Sequence, residues 1–383
     1  MDKNAAGPGP NWAMTLATRR DPRRTMHGAD VSNGQTMPTV TRLLQIAALV
    51  VTTPAAAQLP TLVKAGEIGC SDCATAAQFS SITHLAVTDS GDVLVIAGDA
   101  PMLRLFDRSG KVSWTAGRAG KGPGEFGIPI SAAIGPTGIQ VVDMSLRRIT
   151  RLDREGSLVG SIPARGFATA VGARARTGEM VVLVDDFRGT FTLHRLGMTD
   201  SGATIGTVPP STSPSTRLTN PSIAVDPAGR IAVMRDPDEY VIVLISPDGQ
   251  VAGEIRRDIA RVRMTPEEIA ARDRRRSAVR EKLGAERGRS GSSGPLLSSA
   301  ADNLKPHVAI NGLRFDDSGR LWTRTMRGNQ SSTVFDLFAP DGRYLGEVTV
   351  PGAVGTFSIA GRWFVADVES EDGTPRIAIW HLQ

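Results

Sequence analysis

Five histidines and two cysteines are the side chains of this 383-residue chain best suited to metal, redox or acid–base chemistry. The histidines are His27, His84, His194, His307 and His381, and no His-x-x-x-His or Glu-plus-His metal spacing joins them. No Gly-x-Ser-x-Gly elbow and no phosphate-cradling P-loop occurs. Cys70 and Cys73 form a Cys-x-x-Cys pair in a loop, which in an oxidising compartment most simply closes a tight disulfide. A thioredoxin-like redox site would want the first cysteine at a helix N-terminus in a βαβ context, and zinc would need two further ligands from elsewhere. A lipid-modified cysteine would have to follow an apolar run directly.

Charge narrows the partners. Of 44 basic residues only six are lysine, a bias that reads as GC-rich codon usage rather than as a nucleic-acid footprint. The net charge of +5 is also local: residues 254–290 carry net +5 and residues 1–57 net +3, leaving the remainder at net −3. A body of that sign lacks the broad basic field that draws in a polyanion, so no nucleic-acid partner is expected. With only 18 aromatic residues, many of them suited to core strands, a sugar-stacking platform is disfavoured too.

The compartment follows from the N-terminus. Residues 37–57 combine one arginine, a short apolar run from Leu43 to Val51 and an Ala55-x-Ala57 exit, the layout of a secretory signal peptide. The run is far shorter than the roughly 20 residues that span a bilayer as a helix. Cleavage is expected after Ala57, giving a periplasmic or extracellular chain that starts at Gln58, has no transmembrane segment and acts as a monomer. Residues 1–36 are polar and aperiodic, so Met37 is the expected true start and the preceding stretch a non-native or disordered leader.

The elements that must position any site repeat along the chain. Turns written Asp-x-x-Gly, Asp-x-Gly or Asp-Gly follow β-rich runs and end at Gly110, Gly156, Gly202, Gly249 and Gly342. Their period is about 46 residues, with one double step. A second turn marks the frame half a unit earlier, at Gly91, Gly138, Gly178, Gly229, Gly319 and Gly361. Short alternating runs such as Leu85-Ala-Val87, Ile223-Ala-Val225 and Leu313-Arg-Phe315 precede several of these turns. Four short strands per unit is a propeller blade. The expected fold is all-β, a six-bladed β-propeller over residues 58–383 with one inserted α-helical segment. The blades fall at 79–126, 127–166, 167–217, 218–258, 303–352 and 353–383, and the strand Leu62 to Ile68 is expected to complete the last sheet and close the ring.

The loop Trp114-Thr-Ala-Gly117-Arg-Ala-Gly120-Lys-Gly122-Pro123-Gly124-Glu125-Phe126, followed by Pro129, Val141-Val142-Asp143 and Arg147-Arg148-Ile149, resembles the NHL-repeat unit. The match lies in blades one and two, while blades three, four and five lack the glycine loop. The whole order is similar to the six-bladed propellers of exported bacterial proteins, over about residues 62–383. That resemblance implies fold much more than activity. It also implies that a pair of channel histidines, His84 on the first strand of blade one and His307 just before that of blade five, could hold a metal as in related propeller lyases and lactonases.

Residues 259–302 break the β pattern. Thr265-Pro266-Glu267-Glu268 is a capping box with proline at the first helical position, and the spacing predicts a helix over 266–283 ending at Gly284. A Gly-Ser linker follows. Its arginines read as a solvated excursion or as a docking face for an anionic partner.

Within the blades an aspartate tends to close the second strand, at Asp99, Asp143, Asp185, Asp236 and Asp367. Five similar turns explain five such residues, because aspartate accepts from nearby backbone N–H groups. Arg147, Arg188, Arg235 and Arg327 lie beside them, and one propeller face would carry all four as a rim for an anionic ligand. The expected function is therefore binding or scaffolding of a protein or small anionic ligand, without catalysis and without a cofactor. The alternative is a metal-assisted lyase or hydrolase in the channel, which needs three or more converging ligands where only one or two candidates appear.

Overall fold

A computed structural model describes residues 59–69, 77–98, 100–164, 167–173, 177–185, 190–197, 202–208, 222–236, 238–274, 277, 303–370 and 373–383. Cys70, Cys73, Asp99 and Arg188 lie outside the described residues, as do the signal-peptide region and most of the 259–302 insertion.

Among the described residues, twenty-four strands form six four-stranded antiparallel sheets, a six-bladed β-propeller. The six innermost strands are Ile82–Val87, Pro129–Gly135, Phe167–Ala173, Ile223–Val225, Val308–Phe315 and Val354–Ala360. Each touches its neighbour around the ring. Five sheets are consecutive meanders, while the sixth borrows its outer strand from the other end of the chain. In that sheet Leu62–Ile68 pairs antiparallel with Pro375–Leu382, which pairs in turn with Trp363–Glu369.

The turns explain the repeat. Asp107 accepts from the amides of Ser109 and Lys111 at 2.9 and 3.0 Å, and Asp153 from those of Glu155 and Ser157 at 3.1 and 2.7 Å. Asp316 does the same with Ser318 and Arg320. Each such turn passes through a left-handed position, φ 84° at Gly110 and 85° at Gly156, which a side chain would strain.

Both faces of each sheet are covered by neighbouring blades, so the second strands read as continuous apolar runs. Val93, Leu94, Val95 and Ile96 are all buried. The boundary between blades five and six holds an aromatic cluster of Trp322, Phe335, Phe357, Phe364 and Trp380, with ring centroids 4.9 to 6.0 Å apart for the contacting pairs.

Helix occupies 266–274 and 277 in the described part of the insertion. The capping box is formed: the Thr265 amide donates to Glu268 Oε2 at 2.9 Å, and the Glu268 amide to Thr265 Oγ1 at 3.3 Å. The segment is tied to the ring, since Glu268 pairs with Lys305 at 2.6 Å and Arg261 with Asp238 at 3.1 Å. The rest of the helix expected to reach residue 283 lies outside the described residues.

Candidate functional site

The six inner strands surround a cavity of about 290 Å³ on the ring axis. Its wall is mostly small and apolar, because inner strands that converge leave room for little more than alanine at Ala86, Ala133, Ala173 and Ala224. Thr177, Pro227 and Asp317, from turns joining first and second strands, line one end. Polar groups are few: His84, Arg314 and Ser358 along the wall, with Thr177 and Asp317 at that end.

Arg314 is the exception to the small-residue rule. The hairpin registers Ala86↔Leu94, Ala133↔Gln140, Ala224↔Ala232 and Arg314↔Trp322 place it at the position where three other blades carry alanine. Its Nη1 donates to the carbonyls of Leu313 at 2.7 Å and Asn311 at 3.4 Å, and its guanidinium carbon lies 5.3 Å from the centre of the Phe357 ring. Its Nε and Nη2 have no hydrogen-bond partner among the described residues, and no carboxylate pairs with it.

Beside it, Arg324 donates to the carbonyls of Val354 and Ile310. Burial, aided by repulsion from Arg324, lowers the Arg314 pKa to about 10, and burial lowers Arg324 to about 10 against the pull of Asp367. Both remain cations at neutral pH. Burial pushes Asp367 up to about 6, opposed by Arg324. Arg314 therefore brings a positive charge to the apolar wall, with Arg324 behind it, where Coulomb interactions are strong.

His84 is neutral here. Burial, and next the charge of Arg314, lower its pKa to about 3. Its Nε2 lies 2.8 Å from the Ala132 carbonyl, which can only accept, so Nε2 carries the proton and Nδ1 is the acceptor. Because the folded pKa lies below the free value of 6.5, the unfolded chain binds the extra proton between those limits. Stability from this site is complete above pH 6.5 and is lost as pH falls toward 3. His84→Gln should remove that dependence. Urea denaturation from pH 7.5 to 5 should show wild type losing about 1.4 kcal/mol per pH unit relative to the variant below pH 6.5. A pH-independent difference would contradict it.

The two histidines expected at the channel are not brought together. His307 is buried beside Tyr240, with ring centres 5.7 Å apart, and is not part of the cavity wall. Among the described residues no group of three His, Cys, Asp or Glu side chains is arranged to hold a metal.

The rim arginines divide. Arg147 is exposed in a turn of blade two at φ 48°, and its carbonyl accepts from the Ala164 amide at 2.8 Å. Arg235 pairs with Glu254 at 2.6 Å. Arg327 pairs with Asp336 and Glu347. Two of the three described rim arginines are thus already matched by carboxylates. Asp336 is the centre of a further network, fully buried, 2.7 Å from Arg257, and accepting from the Tyr240 hydroxyl at 2.5 Å.

Asp143 supports the local reading of the recurring aspartates. Its carboxylate accepts from the amides of Gly127, Ile128 and Leu146 at 2.7 to 3.2 Å and from the Ser145 hydroxyl at 3.1 Å. Burial alone would raise its pKa, but these donors outweigh it and the net shift is downward. Arg148 fills the glycine loop, donating to the carbonyls of Lys121, Gly122 and Glu125, so that loop is held by the blade rather than open to a phosphate.

No protein-family model matches the chain, and no curated protein matches it. Solved structures do share the ring. A Bacteroides fragilis protein provisionally classed as exported superposes with a TM-score of 0.54 at 11% identity, covering 85% of this chain and 95% of that one. A Bacteroides vulgatus member of the DUF4221 family gives 0.51 at 8% identity, covering 85% and 98%. A Bacteroides thetaiotaomicron protein of unknown function gives 0.51 at 13%, covering 85% and 76%. At such identities the likeness shows the fold alone.

Proposed function

We propose that this chain is an exported, non-catalytic β-propeller that binds a small anion in its central channel, with Arg314 as the anchor. The observation that carries the reading is a guanidinium in an apolar cavity whose Nε and Nη2 have no partner among the described residues. Arg314 is half-buried, and a cation facing an apolar cavity without a carboxylate is favourably completed by an anion. The matched state of Arg235 and Arg327 favours the channel over the rim.

Calorimetric titration with small carboxylates and inorganic phosphate tests this. Wild type should bind, and Arg314→Ala, which installs the residue of three other blades, should weaken binding about 10- to 100-fold, the value of a charged hydrogen bond. Binding that is unchanged in the variant would refute the assignment.

The export part rests on residues 37–57 and gains support from the exported assignment of the Bacteroides fragilis structure. On this reading residues 1–36 precede the true start, cleavage follows Ala57, Cys70 and Cys73 are joined, and the repeats are of NHL type. Intact mass of protein recovered from the cell envelope should correspond to a chain starting at Gln58. A cytoplasmic chain retaining Met37 would overturn the localisation and the disulfide together.

A further inference from the structure

Resting on the channel reading, we infer that the ligand is an apolar monocarboxylate, seated with its two oxygens on the Nε and Nη2 edge of Arg314 and its body against the aliphatic wall.

Three features of the cavity select this class. The first is the shape of the available donors. With Nη1 committed to the Leu313 and Asn311 carbonyls, the groups left on Arg314 are Nε and Nη2, the pair that faces a planar carboxylate in a two-bond fork. A tetrahedral phosphate would want additional donors around it. The wall has few to give: Ser358 Oγ accepts the Val87 amide at 3.1 Å and Thr177 Oγ1 the Glu179 amide at 3.2 Å, leaving each one hydroxyl proton to donate, while Arg324 lies behind the wall with Nη1 and Nη2 on the Val354 and Ile310 carbonyls.

The second is charge. One guanidinium edge neutralises one negative charge. Elsewhere the wall presents acceptors, since His84 offers Nδ1 once its Nε2 proton is given to the Ala132 carbonyl, and Asp317 adds a carboxylate at one end, where its Oδ2 accepts the Gly361 amide at 2.9 Å. A second carboxylate or a phosphate dianion would meet these groups with no second cation in the wall to match it, which costs more in a low-dielectric channel than in water.

The third is the rest of the wall. Val171, Ala173 and Phe315 are part-exposed and join Ala86 and Ala224 around the cavity, so a ligand gains by covering them with apolar surface, at roughly 25 cal/mol per Å². A volume of about 290 Å³ stands at the small end of ligand pockets.

The experiment is a calorimetric comparison on the mature chain of four probes: benzoate, 3-methylbutanoate, succinate and inorganic phosphate. Wild type, Arg314→Ala and Arg314→Gln are used, with thermal unfolding to show that each variant is folded. The two monocarboxylates should bind wild type at least tenfold more tightly than succinate or phosphate. Their binding should carry a negative heat-capacity change, the mark of apolar burial, and should be lost in both variants. If succinate or phosphate binds more tightly and that binding is still lost in the variants, the ligand class is wrong while the channel reading stands. If no probe binds wild type, or if binding survives both substitutions, both readings fall.

Discussion

Asp336→Ala should lower the unfolding free energy by about 3 to 5 kcal/mol, because it takes a fully buried carboxylate from two arginines and a buried tyrosine that share it. Asp336 comes from the third strand of blade five and is fully buried. It meets Arg327 of its own blade, Arg257 at the exit of blade four at 2.7 Å, and the hydroxyl of the fully buried Tyr240 of blade four at 2.5 Å. Arg257 also stacks over the Tyr344 ring, with its guanidinium carbon 3.8 Å from the ring centre. Removing the carboxylate leaves Arg257, 16% exposed, without a carboxylate partner, and leaves Arg327, 22% exposed, with Glu347 alone. Tyr240→Phe deletes one hydrogen bond and leaves the charges matched, so it should cost only about 1 to 3 kcal/mol. The pair is measured by urea denaturation with a double-mutant cycle, which should show strong coupling because both act through one carboxylate. A loss below about 1 kcal/mol for Asp336→Ala would show the network to be ornamental.

Ending the chain after Thr374 should abolish cooperative folding. The strand Pro375–Leu382 is interior to the closing sheet, hydrogen-bonded to Leu62–Ile68 on one side and to Trp363–Glu369 on the other. It contributes Ile377, Ile379 and Trp380, each at most 4% exposed, to the two cores that flank blade six. At about 1.5 to 3 kcal/mol for each large side chain, that loss is comparable with the whole stability of a typical domain, roughly 5 to 15 kcal/mol. The truncation also leaves the N-terminal strand with no partner and the ring open. Circular dichroism should show the strand signal reduced and the urea transition broad or missing. A truncated chain that unfolds in one sharp transition near the wild-type midpoint would mean that five blades suffice.

The strands and turns of this protein were legible because their causes are local. Asp107 bonds amides two and four residues on, Gly110 supplies the left-handed turn, and the same chemistry recurs with each blade, so spacing alone reveals the frame and the number of sheets. The partnership of Leu62–Ile68 with the last blade was legible for a related reason: a short final repeat and a strand left over before the first one complete each other.

The anchor in the channel was hidden in plain view. Arg314 stands in the alternating run Leu313-Arg-Phe315, and comparison with Leu85-Ala-Val87 and Ile223-Ala-Val225 marks it as a long cation where its equivalents are alanine. That comparison shows an anomaly in the sequence, but what the anomaly does depends on pairing. Arg235, Arg327 and Arg314 look alike along the chain. Folding brings Glu254 to the first and Asp336 with Glu347 to the second, while the third receives only carbonyls from its own strand.

The sequence by itself thus determined the turns and the strand rhythm, which follow from contacts a few residues apart, and the closed six-sheet ring, which follows from the repeating pattern and the strand left over at its start. Only the tertiary structure decided which charges are cancelled and which is left facing an apolar cavity. The reason is that Coulomb pairing and desolvation act over a few ångströms in space, between residues such as Arg257 and Asp336 that stand in different blades, and no local rule records that distance.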